Sequence, residues 1–435
     1  MELEQIKRDP IGMILSFSVP AILSMVLTAL ITVADGAFIG NFVGKDSIAS
    51  VNLGLPVVYL FLGVGLMVSV GGAAMAGMAR GSGDVEGCRR IFRQTVFTAA
   101  LLALLTALAV WLCFEPMLDV LGAEGRVRVD CRTYYLILLP ELVLMIVNST
   151  LSMFVRGEGN PRFALKANAA CTALNVLLDG LFTGVLGWGV AGVAWASVLA
   201  ALVSMGMLLW YFLRRAEVYR LGAFSFSWEV FRRALLNGSS EMIGELSTGI
   251  AMFAYNFVIL RQAGVDGVTA FTVVGYTAYL FSMVVVGFGQ GSSPLASFSF
   301  GAGERALARR IHQMTSRLVS AAGAAAFLLT ATLAGRYGHL FVDSKTVLDF
   351  IRSGAALFAL SFLCSGFNAV TSFYFTATGR ALESAVISLS RGLVVLLVCI
   401  FLLPALWGMT GVWLAAPVTE GITLVLSLCY LRRRT

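Results

Sequence analysis

The sequence predicts an all-α polytopic membrane protein, with twelve transmembrane helices arranged as two pseudo-symmetric six-helix bundles. Three observations predict it. The 435-residue chain is 58% hydrophobic and 13% charged, with a mean hydropathy of +0.87, and so little polar surface cannot cover a water-soluble globule. Apolar stretches of about 20 residues recur from end to end, each long enough to cross a bilayer. A single register relates the first half of the chain to the second.

The apolar stretches lie near 13–38, 50–77, 94–113, 132–154, 164–186, 190–213, 235–258, 268–298, 312–334, 352–376, 382–404 and 411–431. The opening MELEQIKRDP lacks the basic-then-apolar pattern of a cleavable signal and reads as an amphipathic lead-in to the first span. With the N-terminus placed in the cytoplasm, 22 of the 31 Lys and Arg fall on the inner side and 7 on the outer, with Arg352 and Arg391 inside spans. That positive-inside bias predicts both termini in the cytoplasm. The net charge of +7 is thus a topology signal, and no nucleic-acid partner is expected. Seven scattered cysteines without a CxxC, and only His312 and His339, give no zinc spacing. Such thiols are expected to be buried and apolar.

The repeat is read from the loops. GSGDVEGCRRIFRQT (81–95) after the second span returns as GAGERALARRIHQMT (301–315) after the eighth, an offset of 220. The same offset maps Gly44 onto Gly264, Asn148 onto Asn368, Ser152 onto Ser372 and Gly159 onto Gly379; near the ends it slips to 219, pairing Gly189 with Gly408. A register held across five spans divides the chain into an N-terminal lobe (1–213), a basic cytoplasmic linker (214–234) and a C-terminal lobe (235–435). Six spans per half leave both halves the same way up. Parallel repeats of this kind place a substrate site between them and suit alternating access, so a transporter is expected.

Polar residues within the spans form stripes. Ser24, Thr28, Thr32 and Asp35 share one face of the first helix; Asn168, Thr172, Asn175 and Asp179 share one face of the fifth. Hydroxyls and amides in spans commonly act as interhelical glue, whereas a carboxylate in hydrocarbon marks a functional site. Asp35, Asp179 and Ser197 of the sixth span sit at matching depth, and the offset finds only Tyr255 and Cys399 opposite the aspartates. Two nearby carboxylates in low dielectric share a proton or hold a cation between them. Glu241, Glu245, Thr248 and Met252 make an acidic face on the seventh span, suited either to a cationic substrate or to pairing with Arg391; Glu420 is a second partner for Arg391. Thr32, Glu141, Asn148, Glu241, Glu245 and Asn368 are the expected substrate-cavity residues. The GxGD of Gly81–Asp84 repeats as GAGE in a loop and reads as a helix-start turn; Tyr276, Tyr279 and Met283 read as core. No catalytic pair is present, so an enzyme is not expected.

VADGAFIG (33–40), FVRGEGNPRFAL (154–165), NVLLDG (175–180), GVAGVAWAS (189–197) and GQGSSPLASFSFGAG (289–303) together resemble the multidrug and toxic compound extrusion (MATE) transporters, over nearly the whole chain. The resemblance implies a V-shaped pair of bundles in a bacterial inner membrane. It implies export of amphipathic, often cationic compounds by proton or sodium antiport, with no cofactor. It is similar to the DinF-like branch, in which an N-lobe site uses aspartates on the first and fifth helices. Asp35, Asn175 and Asp179 match that pattern, with sodium as the one metal they would hold, and Ser197 stands where the family commonly has Thr. Acids that other members carry on the seventh and tenth helices are only partly matched by Glu241 and Glu245, since the tenth span has Asn368. The expected protein is a monomer in the lipid bilayer. A lipid or lipid-linked glycan flippase of the same superfamily is the alternative; it would call for several cavity bases, and Arg391 is the clear mid-span one.

Overall fold

A computed structural model describes residues 2–120, 122–340 and 344–432; Met1 and 433–435, the outer limits of the two expected lobes, lie outside the described residues. After a short helix (Leu3–Arg8), span 1 is Pro10–Phe42, span 2 Leu55–Gly81, span 3 Val85–Val120, span 4 Gly125–Glu158 and span 6 Val190–Arg214. Span 5 runs Pro161–Asp179 and continues as a π-helix, Gly180–Val185. Spans 7 and 8 form one helical run, Trp228–Gly301, that breaks at Gly264. Span 9 is Arg305–Tyr337, and span 10 is a pair, Lys345–Ala359 and Phe362–Ala377, bent by 44°. Spans 11 and 12 occupy Ala381–Leu389, a π-helical Ser390–Val394, and Val395–Arg432, dividing at Trp407 and Gly408. The described residues therefore make twelve passes, and both termini emerge on one side, called here the terminal side.

The repeat seen in sequence is a repeat of backbone. Gly83 and Gly303, after spans 2 and 8, take φ of 81° and 82°. Gly189, before span 6, has φ 61° and ψ −142°, and Gly408, before span 12, has φ 56° and ψ −136°. That region is essentially restricted to glycine, because a Cβ there clashes with the flanking peptide. Each bundle has its own apolar core. Ile39, Phe61, Phe114 and Tyr135 pack in the first, and Phe281, Phe358, Phe362 and Trp413 in the second.

The bundles meet on the terminal side through glycines. A side chain at Gly71 of span 2 would strike the Ala234 carbonyl and stand 2.8 Å from the Gly238 nitrogen of span 7. One at Gly291 of span 8 would stand 2.5 Å from the Ser18 Cα of span 1. The 220 offset converts the first contact into the second. Gly77 faces Ser297, its own repeat mate, so that pair lies on the pseudo-twofold axis; Gly81 against Phe298 and Gly301 against Met78 flank it. Backbones approach this closely in a bilayer only where side chains are absent. Arg156 of span 4 adds a polar tie, donating from Nη1 to Oε1 of Gln290 on span 8 at 2.6 Å, with both residues buried. Toward the far side the contacts loosen, with Gly63 against Met242 at 3.3 Å and Gly249 against Tyr59 at 3.7 Å. Beyond that level Leu30 and Val33 of span 1, and Ile250 and Met252 of span 7, are exposed.

The connection between lobes falls within the expected linker, 214–234. Only 215–227 is non-helical, because Ser227 caps span 7 and Arg232 and Arg233 join its first turns. This segment is strapped to the first bundle. Arg93 donates to the carbonyls of Arg220 and Ala223, both at 2.9 Å, and Oε1 of Glu158 accepts from the amides of Glu217 and Val218, both at 2.8 Å. Tyr219 is fully buried among Phe92 and Phe154, and Gln94 exchanges two hydrogen bonds with the backbone of Ser227.

Candidate functional site

The polar stripes of spans 1 and 5 face each other. Asn168 Nδ2 donates to the Ser24 carbonyl at 2.7 Å and to Thr28 Oγ1 at 3.3 Å, and Thr172 Oγ1 reaches the Leu27 carbonyl at 3.5 Å. This polar zipper leads to Asp35 and Asp179, which are 9% and 0% exposed. Their carboxyl groups lie within each other's electrostatic influence, and Asn175 is a neighbour of Asp35 as well. Asn175 Nδ2 donates to Ser197 Oγ at 3.1 Å, which ties in span 6. The four residues expected to form one site are brought together. The π-helical turn begins directly after Asp179, a distortion frequent at functional positions.

Donors are short here. Asp35 Oδ1, Asn175 Oδ1 and both carboxylate oxygens of Asp179 are buried without a hydrogen-bond donor. Burying such oxygens unpaired costs several kcal/mol in a bilayer, on the order of each lost partner. One proton between the carboxyls, or one hard cation among the oxygens, satisfies the set. Glu141 and the buried Tyr134 of span 4 stand in the electrostatic field of the aspartates. Glu141, expected on the substrate cavity, therefore borders this acidic pair. Tyr134 was not legible, because a tyrosine among apolar residues reads as core.

In the second bundle, Arg391 donates from Nε and Nη2 to Glu420 Oε1 at 3.2 and 2.7 Å. Asn368 Nδ2 donates to Glu420 Oε2 at 2.7 Å and to its carbonyl at 2.9 Å, while Ser427 Oγ donates to Asn368 Oδ1 at 3.0 Å. Asn368 is fully buried inside its bundle, so it does not line the cavity as expected; its amide is consumed by span 12. Asn148 is half-buried and donates to the Ala201 carbonyl at 3.1 Å. This is the same tie between the fourth and sixth spans of its lobe, and the register pairs Ala201 with Glu420. The shared asparagine bond belongs to the repeat, whereas the Arg391–Glu420 pair is added in one lobe. Arg391 is thereby engaged by Glu420, leaving Glu241 and Glu245 without an ion pair among the described residues. Both are half-buried, and Glu241 Oε1 has no partner. Thr32 is exposed on span 1. No cluster of metal-ligating His, Cys, Asp and Glu occurs among the described residues.

Comparison with known proteins places this geometry in a family. The MatE family model matches residues 20–181 and 242–401, one block in each bundle. The multidrug export protein MepA of Staphylococcus saprophyticus is 19% identical over 411 residues, covering 93% of this chain and 90% of that protein. MepA of Staphylococcus aureus is 19% identical over 421 residues, with the same coverage. Among solved structures, a MOP superfamily transporter from Pyrococcus furiosus superposes with a TM-score of 0.91 at 22% identity, covering 97% of this chain and 95% of that one. A MATE in the bent conformation gives a TM-score of 0.92 at 22% identity, over 98% and 95% of the two chains. The matched blocks contain the paired aspartates of spans 1 and 5 and Glu245 of span 7, and the chain belongs to the MatE family of multi-pass membrane transporters.

Proposed function

We propose that this protein is a secondary active exporter of amphipathic and cationic compounds, driven by proton or sodium antiport through alternating access. The observation that carries the reading is the Asp35–Asp179–Asn175 cluster, whose buried oxygens lack donors. A site that needs one added positive charge couples naturally to an ion gradient. Substrate would bind apart from this cluster, between the bundles on the far side of the glycine contacts. The relatives named multidrug export proteins support the same reading.

The excess of Lys and Arg on the terminal side supports termini in the cytoplasm of a plasma membrane. One proton or sodium ion moving inward across 100 mV releases about 2.3 kcal/mol. At about 1.4 kcal/mol per tenfold, that sustains roughly a fortyfold substrate gradient. A flippase for phosphate-bearing lipids would need free cavity bases, and the mid-span Arg391 is engaged by Glu420, which favours export of small molecules. Counterflow in proteoliposomes under imposed pH or sodium gradients tests the proposal. Substrate movement should follow one of the two gradients; transport indifferent to both refutes ion coupling.

A further inference from the structure

Two turns that the repeat makes alike are capped differently. Asp84, before span 3, accepts from the Gly87 amide at 2.8 Å and so caps its own helix. Its repeat mate before span 9 is Glu304, whose side chain makes no such cap. Glu304 pairs instead with Lys7 Nζ at 2.7 Å. Lys7 belongs to the short helix Leu3–Arg8, which leads into span 1 of the first bundle, whereas Glu304 opens span 9 of the second. Ile6 of the same helix is fully buried in an apolar cluster with Leu295 of span 8 and Leu307 and Ile311 of span 9. The helix thus leads into one bundle and is seated on the other. The 220 offset carries Leu3–Arg8 onto 223–228, where the strap ends and span 7 begins. That segment leads into the second bundle and is bound to the first, where Gln94 holds Ser227. Each bundle is clasped by the segment that precedes the other's first span.

We propose that Leu3–Arg8 is a latch, which holds the terminal side closed while seated on spans 8 and 9 and leaves that seat when the terminal side opens. The two clasps differ in strength. Arg93, Gln94 and Glu158 secure the strap through its backbone. Among the described residues, Leu3–Arg8 is tied across by one ion pair, 38% exposed at each end, and by the one fully buried side chain of Ile6. An exposed ion pair adds little, so a single isoleucine supplies most of the hold. Asp9, at φ −136° and ψ 75°, is the non-helical joint between the latch and span 1. Rocking draws span 1 away from the second bundle, and a short helix joined to span 1 through one residue cannot follow both bodies. The weaker clasp gives way, while the strap keeps the bundles tethered. The proposal rests on the alternating-access reading for this motion, though not for the seat itself.

Spin labels at positions 162 and 382, exposed at the terminal-side starts of spans 5 and 11, read the open-to-closed ratio of the full-length chain in nanodiscs. Ile6→Asp should raise that ratio roughly tenfold or more, the scale of a buried isoleucine. Lys7→Glu should raise it about threefold, the scale of a surface pair. Lys7→Glu combined with Glu304→Lys should return it to the wild-type value, which a loss of folding would not do. If Ile6→Asp does not fold, the charge exchange alone decides. A second arm joins Lys7→Cys to Glu304→Cys through a short, reducible bis-thiosulfonate spacer, since the two long side chains span more than a disulfide does. The linked protein should stay closed, and reduction should free it. Ratios unmoved by the variants, charge effects that add instead of cancelling, or opening with the spacer intact would each overturn the latch. Variants that behave as expected in a protein indifferent to ion gradients would leave the latch standing and refute the exporter. Gradient-driven export with the spacer intact would do the reverse. A terminal side that stays closed in wild type and in every variant would refute the latch and alternating access together.

Discussion

Gly77 and Ser297 face each other across the axis of the molecule, 220 residues apart, and each is the other's repeat mate. A contact on the axis cannot slide without breaking the symmetry of its neighbours. The flanking crossings, Gly71 with Gly238 and Gly291 with Ser18, repeat the same close approach on either side. Closure of the terminal side is therefore one cooperative surface.

That surface should be sensitive to a single side chain. Gly71→Leu meets the Ala234 carbonyl, and Gly291→Leu meets the Ser18 backbone, neither of which can rotate away. Each should cost about 1–3 kcal/mol of closure, the usual range for overpacking. A cysteine introduced at Ser297, fully buried in wild type, should then react with a maleimide from the terminal side. Gly206→Ala, with nothing within 4 Å of its Cβ position, serves as the control and should leave labelling unchanged.

Asp179→Asn should abolish gradient-driven efflux while the protein folds normally, because it keeps the shape and removes the charge that a proton or cation answers. Ser197 offers a finer test of the same site. Ser197→Ala deletes the 3.1 Å bond from Asn175, worth about 1 kcal/mol, and frees the amide to turn. The coupling-ion concentration for half-maximal transport should rise roughly fivefold on that figure. Ser197→Thr keeps the hydroxyl and should restore it. Wild-type efflux from a well-expressed Asp179→Asn, or equal effects of alanine and threonine at 197, would count against the site.

The Arg391–Glu420 pair makes a stability prediction. Side-chain exposures of 29% and 10% leave both charges largely out of water. Removing one partner strands the other, so Glu420→Gln and Arg391→Met should each destabilise by about 3 kcal/mol. The double variant, which strands neither, should recover much of that loss, as a thermal melt of the detergent-solubilised protein would read. Additive losses would mean the two residues act separately.

Sequence made the twelve passes and the repeat legible because hydropathy and glycine spacing are local properties. The partners of Asp35, Asn175, Asp179 and Ser197 could be matched by depth because spans 1 and 5 run in the same direction. What lay hidden depends on helix rotation. Asn368 shares a register with Asn148, yet nothing in spacing says that its amide turns inward to Glu420. Tyr279 reads as core by its helical spacing, and only the crossing of spans 2 and 8 sets it beside Tyr59 and Glu245. The strap from Arg93, Gln94 and Glu158 was equally invisible, because its acceptors and donors are backbone groups.

The strap sharpens the expected motion. With 215–227 bound to the first bundle, the link between rigid bodies narrows to the start of span 7, around Ser227 and Trp228. Two repeat-related pairs report on rocking about that point. Trp188 and Trp407 are half-exposed at the far ends of spans 5 and 11. Arg162 and Leu382 are exposed where the same spans begin, on the terminal side. Spin labels at cysteines in these positions should give one inter-bundle distance per side. Conversion to the terminal-side-open state should lengthen 162–382 and shorten 188–407, because two rigid bundles pivoting between the sides cannot open at both. Distances within one bundle, such as 162–188, should not change. If both inter-bundle distances move in the same sense, or the intra-bundle distance changes as much, the transporter does not work by rocking two rigid halves.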